Sequence, residues 1–483
     1  MRADSKLMQV DSKMLEANVQ YRSAVSVART LREAGHEVFF AGGCVRDLLL
    51  GIEPKDFDVA TSATPDEVMA LFPKTLAVGA HFGVILVLVG EGESQKDAIE
   101  VATFRNDGVY TDGRRPDAVR FSREAREDVV RRDFTINGML LDPVAYEESG
   151  DLDAAVIDYV CGRDDLKAGV VRAIGDPTLR FAEDKLRMLR AVRFAARLGF
   201  AVDAETMAAI RAQAAQINIV SVERVRDELT RMLTEGGAAR AMALMDEAGL
   251  LTHVMPEALK MKGVEQPPEY HPEGDVWVHT MLMLDGLPAG TLPTLAWGAL
   301  LHDIGKPATF TAPKPGVAGD RIRFNGHVDV GVRIAEVILA RLRFSNEDAE
   351  QIVALVKNHM RFGDIDKMRQ ATLKRFLRMP RFEEHLALHR LDCLSSHREL
   401  GHYEFAKEQF ETLGEEETRP KLLVTGRDLI AAGYRPGAQF KEMLEVAEDA
   451  QLDGIVSSRE EGLKMLREKF GAPPQAFTSL TSA

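Results

Sequence analysis

Two carboxylates one residue apart, Asp56 and Asp58, have the clearest chemical potential in this chain. A short run at residues 57–60, which follows Asp56 and includes Asp58, predicts a strand. Because side chains at positions i and i+2 of a strand point to the same face, we expect the two carboxylates to project together. Paired carboxylate oxygens are typical ligands of Mg²⁺. The sequence therefore predicts a magnesium site at Asp56 and Asp58.

A glycine pair, Gly42 and Gly43, precedes these carboxylates. It follows an apolar run that predicts a strand over residues 38–41, and a predicted helix over residues 45–50 comes next. A strand, a tight turn and a helix N-terminus together place backbone N–H groups where they can bind phosphate. A phosphate site beside a metal site favours metal-assisted transfer of a nucleotide, with the paired carboxylates as catalytic groups.

Two adjacent arginines, Arg131 and Arg132, are followed by Asp133. Guanidinium groups match the geometry of phosphate oxygens, so an arginine pair can clamp a triphosphate. We therefore expect this arginine pair to bind the triphosphate of a nucleotide.

Residues 180–194 predict one continuous helix with acids and arginines side by side. Glu183, Arg187 and Arg190 share one face, and Asp184 lies on the other side of Arg187. A carboxylate can accept from the exocyclic amine of cytosine or adenine, while an arginine donates to the neighbouring ring atom. Uracil and guanine present the opposite pattern, so this stripe predicts selection of C and A. Exposed ion pairs on a solvated helix are the alternative.

A second set of metal-ligand side chains lies in the second half of the chain. In chain order its members are His279, His302, Asp303, His327, His359 and Asp392. Imidazoles and carboxylates from successive helices can hold one or two transition-type divalent ions and activate a water molecule. We therefore expect a second metal site here, and buried structural histidines are the alternative.

Composition narrows the class of protein. The chain has 483 residues, 45% hydrophobic and 28% charged, with three widely spaced cysteines that favour a reducing cytoplasm. It has no apolar run of about 18 residues and no apolar signal core in residues 1–20, so we expect no membrane span and no membrane partner. A net charge of −14 argues against nonspecific coating of nucleic acid. Basic stretches at residues 180–197 and 357–381 are still compatible with one structured RNA.

The elements that must position these groups change along the chain. Strands are predicted at residues 38–41, 57–60, 84–89, 99–104 and 118–121. From about residue 177 the 3.6-residue periodicity predicts helices. This order favours an α+β fold, in which a mixed sheet with helices precedes all-α segments. Polar connections are expected at residues 91–97, 106–116 and 311–319, a Pro-rich linker at 266–274 and a frayed end at 473–483.

Residues 42–51 and 56–61 together resemble the signature of class II CCA-adding enzymes and bacterial poly(A) polymerases, which are template-independent RNA nucleotidyltransferases. The arginine pair, the helix at Glu183 and the His-Asp order resemble further motifs of that family, the last being an HD-type metal site. The resemblance implies a nucleotidyltransferase palm in a head at residues 1–165 and a helical neck at 166–262. An HD body at 263–400 and an RNA-contacting tail at 401–483 would follow.

The resemblance also implies roles for individual residues. Nucleotide contacts would come from Gly43, Arg46, Arg132, Asp133, Glu183, Asp184, Arg187, Arg190 and Arg193. Glu100 would be a third acid near the metals, and an acid at a solvated strand edge is the alternative. Lys306 would contact phosphate at the HD site, where some family members hydrolyse 2′,3′-cyclic phosphates, 2′-nucleotides or phosphate esters.

The expected reaction is attack of a tRNA 3′-hydroxyl on the α-phosphate of CTP or ATP, with Mg²⁺ at Asp56 and Asp58 and release of pyrophosphate. A second divalent, transition-type metal at the HD site would support an accessory phosphohydrolase. Poly(A) polymerases, CC-adding enzymes and A-adding enzymes use the same motifs and stay open as alternatives, although the HD motif favours a tRNA enzyme. A metal phosphohydrolase with an RNA-binding head is the alternative from another class. A protein that only binds RNA would need neither metal site.

Overall fold

The computed structural model describes residues 15, 17–79, 83–90, 97–107, 119–317, 319–413 and 421–473. The chain divides into two compact units, one of Met1–Leu259 with Pro288–Gly290 and the other of Lys260–Leu287 with Thr291–Ala483. Most of the predicted connections at residues 91–97 and 106–116, and of the frayed end at 473–483, lies outside the described residues. The four-part division is finer than these two units and stays a prediction.

A mixed sheet forms the centre of the first unit. The strands are β1 (Val38–Ala41), β2 (Val59–Thr61), β3 (Thr75–Gly79), β4 (Val84–Val89), β5 (Asp97–Thr103), β6 (Arg105–Asp107), β7 (Val119–Phe121), β8 (Met139–Leu141), β9 (Val156–Asp158), β10 (Val170–Val171) and β11 (Ala201–Val202). The main sheet has the order β3-β4-β5-β2-β1-β8-β9, and the other four strands form two small pairs. Strand β2 pairs antiparallel with β1 and parallel with β5, so its two neighbours bury it.

Helices account for most of the remaining first unit. They are α1 (Val19–Glu33), α2 (Gly43–Leu49), α3 (Pro65–Leu71), α4 (Ala125–Val130), α5 (Pro143–Ser149), α6 (Leu152–Ala155), α7 (Gly162–Ala168), α8 (Pro177–Glu183), α9 (Leu186–Leu198), α10 (Ala204–Gln213), α11 (Val222–Thr234), α12 (Ala238–Glu247), α13 (Leu251–Val254) and α14 (Pro256–Leu259). Short 3₁₀ helices span Thr135–Asn137 and Ala214–Ile219. Helices dominate after β9, with the short pair β10 and β11 among them, and this follows the predicted order.

The described elements of the second unit are helical. They are α15 (Val276–Asp285), α16 (Pro293–Leu301), α17 (Lys306–Thr309), α18 (His327–Arg341), α19 (Asn346–Asn358), α20 (Gln370–Leu377), α21 (Phe382–Ser395), α22 (Gly401–Thr412), α23 (Gly426–Ala431), α24 (Gln439–Leu452) and α25 (Arg459–Phe470), with a 3₁₀ helix over His359–Lys367. Across the part of the chain that the structure describes, no helix has both the length and the apolar content to cross a bilayer.

Helix α1 shows how the first unit buries its apolar residues. Asn18 caps its N-terminus by accepting a hydrogen bond from the Tyr21 backbone N–H, which satisfies one of the free donors of the first turn. The Tyr21 ring packs edge-on against Phe40 of β1 and against Phe57, at centroid distances of 6.1 and 5.4 Å. Aromatic packing of this kind fixes the segment that carries Asp56 and Asp58 against the core.

Two sequence predictions are corrected by these elements. The predicted strand at residues 57–60 begins only at Val59, so Asp56 and Asp58 lie in the segment that enters β2. Phe57 between them is buried while both acids are exposed, and the predicted alternation of faces therefore holds. The predicted linker at residues 266–274 is wrong, because it lies within the second unit.

The basic stretch at residues 357–381 is largely neutralised within the second unit. Arg375 and Arg378 both pair with Glu448 of α24, at 2.9 and 2.7 Å, and Arg375 also pairs with Asp449. Lys374 donates to the Leu452 carbonyl at the end of the same helix. These side chains hold α20 against α24 and are not a uniformly free surface for RNA.

Candidate functional site

Three carboxylates gather where β2 and β5 run side by side. Asp58 directly precedes β2, and Glu100 lies on β5 next to Val101, the partner of Val59. Burial and the negative charges of Glu100 and Asp56 raise the pKa of Asp58 to about 6, although Asp58 keeps solvent access. Burial and Asp56 also raise the pKa of Glu100. A divalent cation relieves such repulsion, so these oxygen donors fit Mg²⁺. Strand β5 lies inside the sheet, which rules out a solvated sheet edge for Glu100.

The glycine turn lies against two guanidinium groups. Gly42 has φ 79° and ψ −126°, a conformation that residues with a Cβ rarely adopt. A Cβ on Gly42 would lie 3.1 Å from Arg132 Nη1, and one on Gly43 would lie 3.6 Å from Arg46 Nη2. The positive charge of Arg132 also acts to lower the pKa of Asp58. The same guanidinium is therefore close to both the turn and the carboxylates.

Asp128 of α4 holds the arginine pair, and the sequence reasoning missed it. Its side chain is buried, and one oxygen accepts from Arg131 Nη2 at 2.6 Å while the other accepts from Arg132 Nη2 at 2.8 Å. Burial opposes ionisation, but the two arginines lower the pKa of Asp128 overall. Its spacing of three and four residues before the arginines on a helix was the signal that could have identified it.

Asp133, Asn137 and Arg46 form a buried hydrogen-bond network close to the glycine turn. Asn137 accepts from Arg46 Nη1 at 2.6 Å and donates to Asp133 Oδ1 at 3.1 Å. Asp133 Oδ2 accepts from Arg190 Nε at 2.8 Å. Burial opposes ionisation, yet Arg190 and Asn137 lower the pKa of Asp133 to about 2. Asp133 and Arg46 therefore already bind other side chains of this chain. Their contact with a nucleotide stays a prediction.

The helix predicted over residues 180–194 is broken, so that prediction is wrong. Helix α8 ends at Glu183, and Asp184 is extended with φ −141° and ψ 109°. Arg224 of α11 holds the Asp184 carboxylate at 2.7 Å, which stabilises the break. Glu183 and Arg187 still pair across it, as their spacing predicted.

Arg187 joins this break to the arginine pair. Its Nη2 donates to the backbone carbonyl of Arg131 at 3.0 Å, while its Nη1 reaches Glu183 and the Arg180 carbonyl. Glu183 also accepts from Arg180 at 3.0 Å. The structure thus brings the predicted base-selecting side chains to the predicted triphosphate-binding segment.

Arg193 is fixed inside the first unit. It is 4% exposed, and it pairs with Glu228 at 2.7 Å and with Glu235 at 3.0 Å. Its guanidinium also lies 4.4 Å from the centroid of the Phe194 ring. Glu228 is 3.8 Å from Arg190, so the buried carboxylate connects the two arginines. The geometry favours a structural role for Arg193, and its predicted nucleotide contact has no support from it.

Replacing Arg193 by methionine should lower the free energy of unfolding by about 3 kcal/mol, because Glu228 would stay buried beside one distant arginine. Denaturant unfolding of the purified chain measures this. Arg211→Met is the matched control, since Arg211 and Glu247 form a half-exposed pair whose loss should cost under about 1 kcal/mol. Equal stability of the Arg193 variant and wild type, with a raised KM for CTP, would contradict the structural role.

The second unit brings all six predicted metal ligands together. His279, His302 and Asp392 form one group, and Asp303, His327 and His359 form another, with the ligand atoms of each group within 4.8 Å of one another. The two groups meet at His302, whose Nε2 lies 3.1 Å from Asp303 Oδ2. The order seen in the sequence is therefore one cluster in space.

Hydrogen bonds fix three of these imidazoles for metal binding. The Nδ1 atoms of His302, His327 and His359 lie 2.9, 2.9 and 2.7 Å from the backbone carbonyls of Ala299, Phe324 and Val356. A donating Nδ1–H leaves Nε2 with a free lone pair, the usual state of a ligating histidine. Among the described residues no group hydrogen-bonds to the buried His302 Nε2 or Asp303 Oδ1. Such orphaned atoms fit a divalent transition-type ion.

A cavity of about 1110 Å³ lies over this cluster, lined among others by His271, Lys306, His327, His359 and Asp392. Lys306 is buried, and its ammonium lies 2.7 Å from Asp303 Oδ2. The cavity is large enough for a nucleotide-sized ligand, and the predicted phosphate contact of Lys306 would be made at its wall.

Comparison with known proteins identifies three segments of the chain. Residues 38–172 match the poly A polymerase head domain, and residues 199–261 match the probable RNA and SrmB-binding site of polymerase A. Residues 277–396 match the HD domain. The predicted resemblance to this family is confirmed.

Curated relatives of the chain are CCA-adding enzymes. It is 44% identical over 234 residues to the enzyme of Geobacillus thermodenitrificans, covering 48% of this chain and 54% of that enzyme. It is 44% identical over 227 residues to the enzyme of Levilactobacillus brevis, covering 47% and 53%. The chain thus spans about half the length of the curated relatives it matches.

The fold is similar to that of a solved CCA-adding enzyme. The enzyme of Bacillus stearothermophilus in complex with CTP matches with a TM-score of 0.69 and 27% identity, over 94% of this chain and 98% of that one. The predicted fold class, a mixed-sheet α+β palm followed by helical segments that include an HD domain, is confirmed.

Proposed function

We propose that this chain, whose residues 38–172 belong to the poly A polymerase head-domain family, adds C and A from CTP and ATP to the 3′ end of tRNA and releases pyrophosphate. One observation carries the proposal. Arg132 lies against the Gly42 turn and close to Asp58, while the adjacent Arg131 backbone binds Arg187. Groups for metal, triphosphate and base thus adjoin one another.

Each part of this cluster has a role in nucleotidyl transfer. When bound at Asp56 and Asp58, Mg²⁺ lowers the pKa of the attacking hydroxyl and neutralises charge on the phosphates. Glu100 supports those two carboxylates. Arg132 offsets phosphate charge, and the glycine turn at Gly43 leaves room for phosphate oxygens beside the backbone. Asp128 holds Arg132 in place, which keeps it aimed before substrate arrives.

Base selection would come from the break between α8 and α9. Asp184 or Glu183 accepts from the exocyclic amine of C or A, and Arg187 donates to the neighbouring ring atom. Arg224 and Arg180 hold these acids through 2.7 and 3.0 Å ion pairs. Arg46, Asp133 and Arg190 would support the site through their buried hydrogen-bond network. The likeness to the CTP complex of Bacillus stearothermophilus supports this reading, and three spaced cysteines support a cytoplasmic location.

Stepwise extension of tRNA tests the proposal. Purified protein with Mg²⁺ should add C to transcripts ending at N73 or C74 and A to transcripts ending at C75, when each nucleotide is supplied alone. UTP and GTP should be incorporated about 5–150-fold more slowly, because an unpaired buried polar group costs about 1–3 kcal/mol. Denaturing gels of labelled tRNA measure each product.

The Asp184→Ala variant in the same assay should lose most of this discrimination, with Asp227→Ala as an exposed acid control from α11. Long A tails on unrelated RNA would instead indicate a poly(A) polymerase. Addition of only C or only A would indicate a CC-adding or an A-adding enzyme.

A second candidate function is metal-dependent phosphoester hydrolysis at the HD cluster. The observation that favours it is that, within the described residues, the buried atoms His302 Nε2 and Asp303 Oδ1 have no hydrogen bond and lie near a nucleotide-sized cavity. A divalent transition-type ion bound there would activate a water molecule. His302, His327 and His359 present Nε2, and Lys306 supplies positive charge at the cavity wall. Phosphate esters, including 2′,3′-cyclic phosphates, are the proposed substrates.

A further inference from the structure

The geometry points to Glu273 as a positioning residue of the HD site, one that aligns His279 for the metal and His271 for Lys306. This inference rests on the proposed HD metal site and adds to it a residue outside the six predicted ligands. Glu273 lies in the segment at residues 266–274 that sequence patterning predicts to be a linker.

One carboxylate oxygen holds two imidazoles. Glu273 Oε1 lies 2.7 Å from His279 Nδ1 and 2.9 Å from His271 Nδ1. The two rings are edge to face, with centroids 4.9 Å apart. The His279 side chain is fully buried and that of Glu273 nearly so, so the carboxylate faces these rings with little competition from water.

The consequence for His279 is a fixed tautomer and ring orientation. With Nδ1–H donated to Glu273, the lone pair of Nε2 is free, and this atom lies 3.2 Å from Asp392 Oδ1 in the group of His279, His302 and Asp392. His302, His327 and His359 use backbone carbonyls for the same purpose, whereas His279 uses a carboxylate. A carboxylate partner also makes the ligating imidazole more basic, which strengthens metal binding.

His271, the second histidine bound by Glu273, contacts Lys306. Its Nε2 lies 3.5 Å from Lys306 Nζ, which also donates to Gln266 Oε1 at 2.6 Å and pairs with Asp303. Gln266, His271 and Asp303 therefore all lie within contact distance of the ammonium group. Through His271, the same carboxylate positions the cation that faces the cavity.

Metal affinity of the full-length protein tests this inference. Equilibrium dialysis with Mn²⁺, and titration with Co²⁺ followed by its visible absorption, should show Glu273→Ala binding about 10–100-fold more weakly than wild type. Glu273→Gln should recover most of the affinity, since its amide oxygen can accept from both rings. His271→Ala should stay within about 3-fold of wild type, because its Nε2 faces Lys306.

Glu269→Ala is the matched control, since Glu269 is an exposed acid of the same cavity wall and its removal should leave metal affinity unchanged. Far-UV circular dichroism and denaturant unfolding of the full-length protein report that each variant is folded. Wild-type affinity in Glu273→Ala, or an equal loss in Glu269→Ala, would overturn the role of Glu273. The Asp303→Asn variant tests the proposed HD site itself, separately from the role of Glu273. If this variant also binds metal like wild type, the proposed HD site is wrong.

Discussion

Replacing Asp58 by asparagine should reduce incorporation of CTP and ATP into tRNA by about 1,000-fold or more, with phosphoester hydrolysis unchanged. Burial and the negative charges of Glu100 and Asp56 raise the pKa of Asp58 to about 6. An amide of the same size removes one charge from the proposed metal site. Charge stabilisation by the metal is worth several kcal/mol, and about 4 kcal/mol corresponds to a 1,000-fold loss of rate.

Single-turnover extension of tRNA ending at C74 measures the loss. Asp66→Asn is the matched control, because Asp66 is exposed in the first turn of α3, and it should extend tRNA at the wild-type rate. Full incorporation by both Asp56→Asn and Asp58→Asn would show that the metal lies elsewhere.

Replacing Asp303 by asparagine should reduce phosphoester hydrolysis by about 1,000-fold and leave nucleotide addition intact. Asp303 Oδ1 lies 3.7 Å from both His327 Nε2 and His359 Nε2, while Oδ2 lies 2.7 Å from Lys306. Burial opposes its ionisation, but His302 and Lys306 keep the pKa of Asp303 well below its usual range. The amide would lose the charge that a divalent ion needs from this group.

Hydrolysis of 2′,3′-cyclic AMP and of bis-p-nitrophenyl phosphate with Mn²⁺ or Co²⁺ measures this effect. Asp329→Asn on α18 is the control, since Asp329 is exposed two residues after His327. His359→Gln gives a second test that leaves the Lys306 ion pair in place. Hydrolysis at the wild-type rate in both Asp303→Asn and His359→Gln would exclude the HD cluster as the hydrolytic site.

Together the two variants separate the leading proposal from its alternative of another class. A metal phosphohydrolase with an RNA-binding head would lose its only activity in Asp303→Asn and would show no nucleotide addition for Asp58→Asn to remove. A nucleotidyltransferase with an accessory hydrolase should lose a different activity in each variant.

Local patterns were reliable where a single property decides the structure. Apolar runs of β-branched and aromatic residues identified β1 and β4 with their bounds, because such side chains pack well on the pleated surface of a sheet. The order of six histidine and aspartate ligands identified the HD cluster, because ligand type is a property of the side chain alone.

Predictions failed where a contact from another element competes with local preference. Residues 180–194 have the periodicity of one helix, yet Arg224 from α11 holds Asp184 in an extended conformation. Residues 266–274 have the proline content of a linker, yet the buried Gln266 accepts a hydrogen bond from Lys306, which lies 40 residues further along the chain. Neither partner is adjacent in sequence, so local propensity could not reveal either contact.

The sequence by itself determined which chemistry is available: paired acids beside a glycine turn, an arginine pair, acids next to arginines, and an ordered set of metal ligands. Only the tertiary structure decided which of these groups can meet a ligand. It buried Arg193 against Glu228 and brought Arg187 to the Arg131 backbone. The physical reason is that charge and ligand type belong to a residue, whereas burial and hydrogen-bond partners depend on elements distant in the chain.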